Sequence, residues 1–312
     1  MNPFSVLYGA VAGARNTLFD RGLLKPQRLK GPVVSVGNIS AGGSGKTPFV
    51  ILLGELLKSR GIAFDVLSRG YGRQTSGVRE VDPSGSAQDY GDEPILIARR
   101  LGVPVIVGES RFAAGRYSEK HWGLRLHLLD DGFQHRALHR DFDIVLVSSV
   151  DATDKLLPVG RLREPWTALS RANAIVLTNE SPAKMPLPSN KNIWQVRRTV
   201  QITSSPLRPI AFCGIARPQR FIDDLNAAGI RPAMKFFFDD HHSYSEEDIR
   251  KLLELKQKNS AGGFITTEKD AINLGDLARS LEPLSVAQVV MELNDPDQAL
   301  RSLFQQIDGL SV

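Results

Sequence analysis

Cysteine is nearly absent: Cys213 is the only one in 312 residues. A lone cysteine closes no disulfide within the chain, so stability must come from a buried core, and the usage fits a reducing compartment. No run of about 18 apolar residues occurs, so no membrane-spanning helix is expected. The first residues lack the charged-then-apolar layout and small-residue cleavage site of a signal peptide. Long Lys/Arg blocks, finger spacings and RNP motifs are missing as well. No nucleic-acid partner is therefore expected, despite a formal charge of +5. There is no repeat of fixed period, no low-complexity tract, and no feature that calls for a protein partner. What is present is ordinary for a globular chain: 42% hydrophobic and 23% charged residues. The mild basic excess suits phosphorylated small molecules or an acidic lipid surface.

Short β-rich runs alternate with helical patterns. Residues 33–36, 64–67, 103–107, 126–129, 144–147 and 174–177 read as strands with apolar residues on both faces, as in a covered parallel sheet. Helical patterns cover 49–59, 94–101 and 111–122. This alternation predicts an α/β fold, a doubly wound, mostly parallel sheet in an α/β/α sandwich over residues 25–180. Residues 181–208, with Pro182, Pro186 and Pro188 among Ser, Asn and Lys, read as a linker. A second alternating set follows, with strands at 210–213, 234–238, 264–266 and 286–291 and helices at 219–228, 246–258 and 296–307. It predicts a smaller α/β domain over 209–312 that closes over a cleft. Residues 1–24 form an amphipathic helix pattern, with Phe4, Leu7, Tyr8, Val11 and Leu18 at helical spacing and Arg15 and Arg21 among them. That stripe either packs on the body or docks in the plane of a membrane.

The chemistry begins at Ser40-Ala41-Gly42-Gly43-Ser44-Gly45-Lys46-Thr47. An apolar strand precedes it and an apolar helix follows. Small residues there let backbone N–H groups face an anion at a helix N-terminus. Lys46 can reach the terminal phosphates of a nucleotide and the Thr47 hydroxyl can hold Mg²⁺. Ser40 stands where G-x-x-x-x-G-K-[ST] has its first glycine, so the strand–loop–helix setting carries part of the assignment.

A phosphate-loop enzyme also needs carboxylates for its metal, usually at the end of a neighbouring strand. Asp130 and Asp131 end the run Leu126–Leu129; one would hold Mg²⁺ and the other orient it. Gly91-Asp92-Glu93-Pro94 opens a helix, and assigns Asp92 to an incoming hydroxyl and Glu93 to the metal. Asp239-Asp240-His241-His242 follows a third apolar run, and a histidine beside a carboxylate can take a proton from an alcohol. Arg69 and Arg73 follow one strand; Arg161 and Arg163 lie in a loop rich in apolar residues. Together they suit an anion carried on a greasy body.

The ordered series S-V-G-N-I-S-A-G-G-S-G-K-T-P, S-R-G-Y-G-R, G-D-E-P, L-D-D-G-F-Q-H, L-L-P-V-G-R-L-R-E-P, D-H-H and T-E-K-D resembles the tetraacyldisaccharide 4'-kinase family from residue 4 to about 275. The resemblance implies ATP-dependent phosphorylation of the 4'-hydroxyl of a lipid A disaccharide 1-phosphate precursor. It also implies a monotopic enzyme on the cytoplasmic face of the bacterial inner membrane, held through its N-terminal helix. By motif, Gly42 to Thr47 bind ATP, and Asp130 and Asp131 are Walker-B-like acids with Glu93 close to the metal. Asp92 and a histidine of D-H-H form the acceptor-activating dyad; His241 is the first choice, which leaves His242 and the four arginines for the substrate. A kinase of a soluble metabolite shares the site without the greasy loop. A partner-regulating ATPase is the other alternative. A GTPase is disfavoured, because Thr178-Asn179-Glu180-Ser181 lacks the Lys and Asp of the guanine motif.

Overall fold

The computed structural model describes residues 3–123, 126–179 and 185–307, and the side chains of the first helix from residue 13 onward. In chain order the first half runs α1 (Pro3–Asp20), β1 (Val33–Asn38), α2 (Lys46–Ser59), β2 (Phe64–Ser68), β3 (Arg79–Glu80), α3 (Ala87–Tyr90), α4 (Asp92–Leu101), β4 (Val105–Val107), α5 (Arg111–Trp122), β5 (Leu126–Asp130), β6 (Phe142–Val147), α6 (Ser149–Thr153) and β7 (Ala174–Thr178). Then come β8 (Asn192–Gln201), β9 (Ile210–Cys213), α7 (Pro218–Ala227), β10 (Met234–Phe237), α8 (Glu246–Lys258), β11 (Phe264–Thr267), α9 (Glu268–Leu274), β12 (Leu284–Leu293) and α10 (Pro296–Phe304).

The strands form one twelve-stranded sheet in the order β10-β9-β11-β12-β8-β7-β6-β1-β5-β2-β4-β3. All neighbours are parallel except β3–β4 and β8–β12. The chain leaves β1 through α2 toward β2 on one side, and returns from β5 to β6 on the other. The C-terminal end of β1 is therefore a switch point of the sheet, where α/β folds bind ligands.

The interval 181–208 is not only a connection. Pro182 lies outside the described residues, but residues 192–201 form β8. Its first half pairs parallel with β7 and its second half antiparallel with β12, so the sheet runs unbroken from one half of the chain to the other. The signal was weak because β8 is fully buried only at Trp194 and Val196, with Ile193 and Val200 half-buried among polar residues. Beyond them Arg197 faces Glu292 at 2.6 Å and Arg198 faces Asp224 at 2.7 Å. Those polar positions read as a loop.

β1 is buried throughout, as are β2, β4, β5 and β6. α2 covers this part of the sheet with Phe49, Val50, Leu53 and Leu57, each worth about 1.5–3 kcal/mol of burial. Gly37 sits where β1 passes the chain after β5. A Cβ there would lie 2.5 Å from Phe133 Cβ and 2.8 Å from Phe133 N. Gly37→Ala is expected to cost about 1–3 kcal/mol, because backbone rather than a flexible side chain must give way. Thermal unfolding measures it; an unchanged midpoint would show that the loop yields freely.

Candidate active site

β1 ends at Asn38, whose buried side chain reaches Ser40 Oγ at 3.5 Å. The next turns need left-handed backbone at Gly42, Gly43 and Gly45 (φ +73°, +54° and +88°), which glycine adopts without strain. Ser40 is not among the positive-φ residues. It is buried and bridges Leu162, while the Ala41 N–H donates to the Arg161 carbonyl at 2.7 Å. The non-glycine first position is thus an extended residue pinned by the loop before Arg163. Lys46 opens α2, donates to Asn38 Oδ1 at 3.3 Å and faces Asp131 at 3.5 Å. Thr47 is buried beside it.

Acids surround the lysine. Asp130 is buried; Ser68 Oγ donates to its Oδ2 at 3.3 Å, and its Oδ1 has no partner among the described residues. Burial, with Glu93 and Asp131 nearby, pushes its carboxyl up to about 7. Burial also acts on Asp131 and Glu93, but cations outweigh it and hold both below the usual carboxylate range. For Asp131 they are Lys46 and Arg163, whose guanidinium lies at 2.9 Å; for Glu93 the main one is Lys269, with which it pairs directly.

Asp92 is the first residue of α4. Its Oδ1 accepts from the Glu93 N–H at 2.8 Å, and its Oδ2 from Asn273 at 3.3 Å. The same Oδ2 meets His241 Nδ1 at 3.0 Å. The two residues come from opposite halves of the chain. His241 sits in left-handed backbone (φ +58°), its N–H bonded to the Gly214 carbonyl at the end of β9. The hydrogen bond to Asp92 raises the imidazole above its ordinary value, against burial; Asp240 adds to the rise and Lys269 opposes it. Burial lifts the Asp92 carboxyl, but the His241 bond and Lys269 prevail and keep it low.

The family model described as Tetraacyldisaccharide-1-P 4'-kinase matches residues 1–308. A tetraacyldisaccharide 4'-kinase of Koribacter versatilis is 49% identical, over 99% of each chain. The chain belongs to the tetraacyldisaccharide 4'-kinase family. Another member, from Aquifex aeolicus, is 37% identical over 87% of this chain and 88% of its own. A crystal structure of LpxK from Aquifex aeolicus, an "apo" form in complex with ATP, superposes with a TM-score of 0.80 at 34% identity, covering 98% of both chains. The parallel α/β sheet with its phosphate loop is therefore the fold of this kinase family.

Magnesium fits the acids. Among the described residues no three His, Cys, Asp or Glu side chains converge as a ready-made metal cage. Mg²⁺ does not need one: it keeps waters and takes one or two carboxylates plus substrate phosphates. Asp130, with a buried unpartnered oxygen and a raised pKa, is the group that a cation would relieve. Asp131 and Glu93 hold lysine or arginine here, and Thr47 stands at the loop.

The arginines divide. Arg73, expected to meet substrate, is buried against Glu109 and the Gly77 carbonyl. Arg161 is bonded to Asp154 at 3.0 Å and Arg163 to Asp131. Arg69 is exposed, with no ion pair among the described residues. His242, also expected to meet substrate, is held by Asp248 Oδ2 at 3.1 Å and stacks on Phe238. In each of Arg73, Arg161, Arg163 and His242 a fixed partner already uses the polar face. Arg111 was missed. It is buried at the start of α5, within electrostatic reach of Arg69, Asp130 and Asp131; its Nη1 donates to the Glu109 carbonyl at 3.2 Å, and its Nε has no partner among the described residues. Its place just past the C-terminal end of β4 is the signal that points to it. Lys269, within T-E-K-D, neutralises Glu93.

α1 docks beside these loops. Asn16 Nδ2 donates to Glu164 at 2.7 Å, Arg15 to the Gln134 carbonyl at 3.1 Å, and Arg136 pairs with Asp20 at 2.7 Å. The side chains of Phe4, Leu7, Tyr8 and Val11 lie outside the described ones; Leu18, Leu23 and Leu24 are exposed. Among the described residues no helix is long and apolar enough to cross a membrane.

Proposed function

We propose that the protein transfers the γ-phosphoryl group of ATP to the 4'-hydroxyl of a tetraacyldisaccharide 1-phosphate, the acylated precursor of lipid A. The observation that carries this reading is the 3.0 Å contact of Asp92 with His241, beside a phosphate loop whose lysine faces Asp131. His241 Nδ1–H donates to Asp92, which leaves Nε2 as the lone pair that takes the acceptor's proton. The sugar oxygen forms a bond to the γ-phosphorus, the bond to the β-phosphate oxygen breaks, and ADP departs. Asp92 holds the ring and stabilises the imidazolium. The loop amides and Lys46 cradle the phosphates and spread the charge that develops on them. Asp130, with Asp131, Glu93 and Thr47, would hold Mg²⁺, which when bound neutralises phosphate charge. Arg69, together with the unpartnered Nε of Arg111, supplies donors for an anionic sugar phosphate.

The setting is part of the proposal. Exposed Leu18, Leu23 and Leu24 at the end of a helix docked on the site suit a protein resting on the cytoplasmic surface of the inner membrane. Purified enzyme with γ-labelled ATP and a monophosphorylated acylated disaccharide should give a labelled bisphosphate; label on a soluble sugar alone would overturn the lipid assignment. Sedimentation with anionic phospholipid vesicles should fall when residues 1–24 are removed.

A further inference from the structure

The helix α9 opens at Thr267-Glu268-Lys269-Asp270 and lies against both members of the Asp92–His241 pair. It is anchored on α4: Lys269 pairs with Glu93, and Glu268 with Arg100 at 2.9 Å. Asn273 lies one turn beyond Lys269 on the same face, as residues four apart do. Its Nδ2 donates to Asp92 Oδ2 at 3.3 Å. That is the oxygen which meets His241 Nδ1. Asp92 Oδ1 is held within α4, by the Glu93 N–H. The two donors on Oδ2 therefore both come from the second half of the chain.

Asp270 reaches the other member of the pair. It is fully buried. The Thr267 hydroxyl donates to its Oδ2 at 2.5 Å and accepts from its N–H at 3.2 Å, which caps α9. The cap needs only that oxygen. Oδ1 instead accepts from the Gly214 N–H and from the Tyr244 hydroxyl, both at 2.8 Å. These two donors flank His241. The Gly214 carbonyl accepts from the His241 N–H at 3.1 Å, and Tyr244 follows three residues later. A Cβ on Gly214 would lie 2.7 Å from the Asp239 carbonyl oxygen and 3.0 Å from His242 Cβ, so the turn rests directly on the end of β9. A buried carboxylate is costly to desolvate; three donors offset that cost, and two of them belong to the frame around His241.

We propose that α9 positions the dyad, with Asn273 holding the Asp92 carboxylate and Asp270 holding the turn that presents His241. The inference rests on the acid–base reading of Asp92 and His241. Asn273 and Asp270 touch neither substrate nor reacting atoms, so both are positioning residues. The bond between Asp92 and His241 alone lets carboxylate and imidazole swing together. Asn273 fixes the carboxylate end, and the Gly214–Asp270–Tyr244 brace fixes the backbone end, so Nε2 is aimed at one place. The two holding residues are three apart on one short helix, which keeps the two ends at a set separation. Misplacing a reacting group by about 1 Å can cost about 10²-fold in rate.

Phosphotransfer kinetics on Asn273→Ala, alone and combined with Asp92→Ala, test the first contact. Alone, Asn273→Ala should lower kcat by about tenfold, the effect of one hydrogen bond to a charged group, with the Kd for ATP within about twofold. With Asp92 already replaced, the same change should alter kcat by less than about twofold, because its partner is gone. A purely structural role would cost the same factor in both backgrounds. Asp270→Ala should lower kcat by about 10–100-fold at an unchanged Kd for ATP. Asp270→Asn keeps an acceptor for Gly214 and Tyr244 and should restore most of that loss. If Asp270→Ala does not fold, Tyr244→Phe probes the same brace: kcat should fall about threefold beside intact His241 and not at all beside His241→Ala. Equal losses in both backgrounds, an unchanged kcat in either alanine variant, or a loss in Asp270→Asn as deep as in Asp270→Ala overturns the positioning role while the dyad stands. An unchanged kcat in Asp92→Ala by itself removes the acid–base reading instead.

Discussion

Asp92→Ala should lower kcat by about 10²–10⁴-fold, the range for losing a positioned acid–base group, while the Kd for ATP stays within about twofold. Asp92 touches the Glu93 amide, Asn273 and His241, none of them in the phosphate loop. Removing it leaves His241 without the bond that fixes its tautomer and raises its pKa. Asp92→Asn sharpens the test, since the amide keeps the shape and loses the charge. The sign of the pH effect follows from His241. Its raised pKa means that the imidazole is protonated, and unable to accept, until pH passes a value above 6.5. The kcat of the wild type should therefore fall on the acid side of that value. The groups facing the ring are Asp92, Asp240, Lys269 and the tilted ring of Tyr71 at 5.1 Å. In Asp92→Asn the carboxylate charge that strengthens the bond and raises the imidazole is gone, so the acid limb should move to lower pH. Stopped-flow or discontinuous phosphotransfer assays across pH 5–9, beside nucleotide titrations, measure both effects. An unchanged kcat, or a loss of ATP affinity matching the loss of rate, removes Asp92 from the proton-transfer role.

Lys46→Ala carries the second large effect, a fall in kcat of about 10²–10³-fold, as for loss of one preorganised donor to a developing oxyanion. Lys46 lies at the convergence of Asn38 Oδ1, Asp131 and the first turn of α2. It also helps to keep Glu93 and Asp131 ionised against burial. Its loss should weaken ATP binding as well, and Lys46→Arg should not restore the rate. A planar fork does not replace a point charge at the glycine-lined turn. Single-turnover rates at saturating ATP separate the two effects. A rate in Lys46→Ala equal to wild type under saturation would confine the residue to ground-state binding.

Legibility differed between elements for physical reasons. The strands at 33–36, 64–67 and 126–129 were plain because both faces are buried, so apolar residues fall on both faces, with a single buried polar residue in each (Ser35, Asp65 and His127). α5 and α8 were read with the bounds observed, Arg111–Trp122 and Glu246–Lys258; each is capped by a serine hydroxyl, Ser110 and Ser245. β3 and α3 escaped because two and four residues are too few to show a period. β8 escaped because the polar part of its pattern comes from ion pairs with residues 26 and 95 positions away.

In the site, the phosphate loop was legible because its chemistry is local: contiguous glycines, one lysine and one threonine suffice. The partners around it were not. Asp92 and His241 are 149 residues apart, and no spacing rule joins them. Whether His241 or His242 serves was open in the chain, since adjacent residues share every compositional signal. Folding separates them: the left-handed turn at His241 aims it across to α4, while its neighbour is bound to Asp248. Arg69, Arg73, Arg161 and Arg163 were equal as letters, and only packing shows which of them has an acid of its own. The sequence by itself determined the phosphate-binding turn, the buried parallel strands and the family. Only the tertiary structure decided which side chains remain unpaired, because that depends on which distant residues the continuous sheet brings beside them.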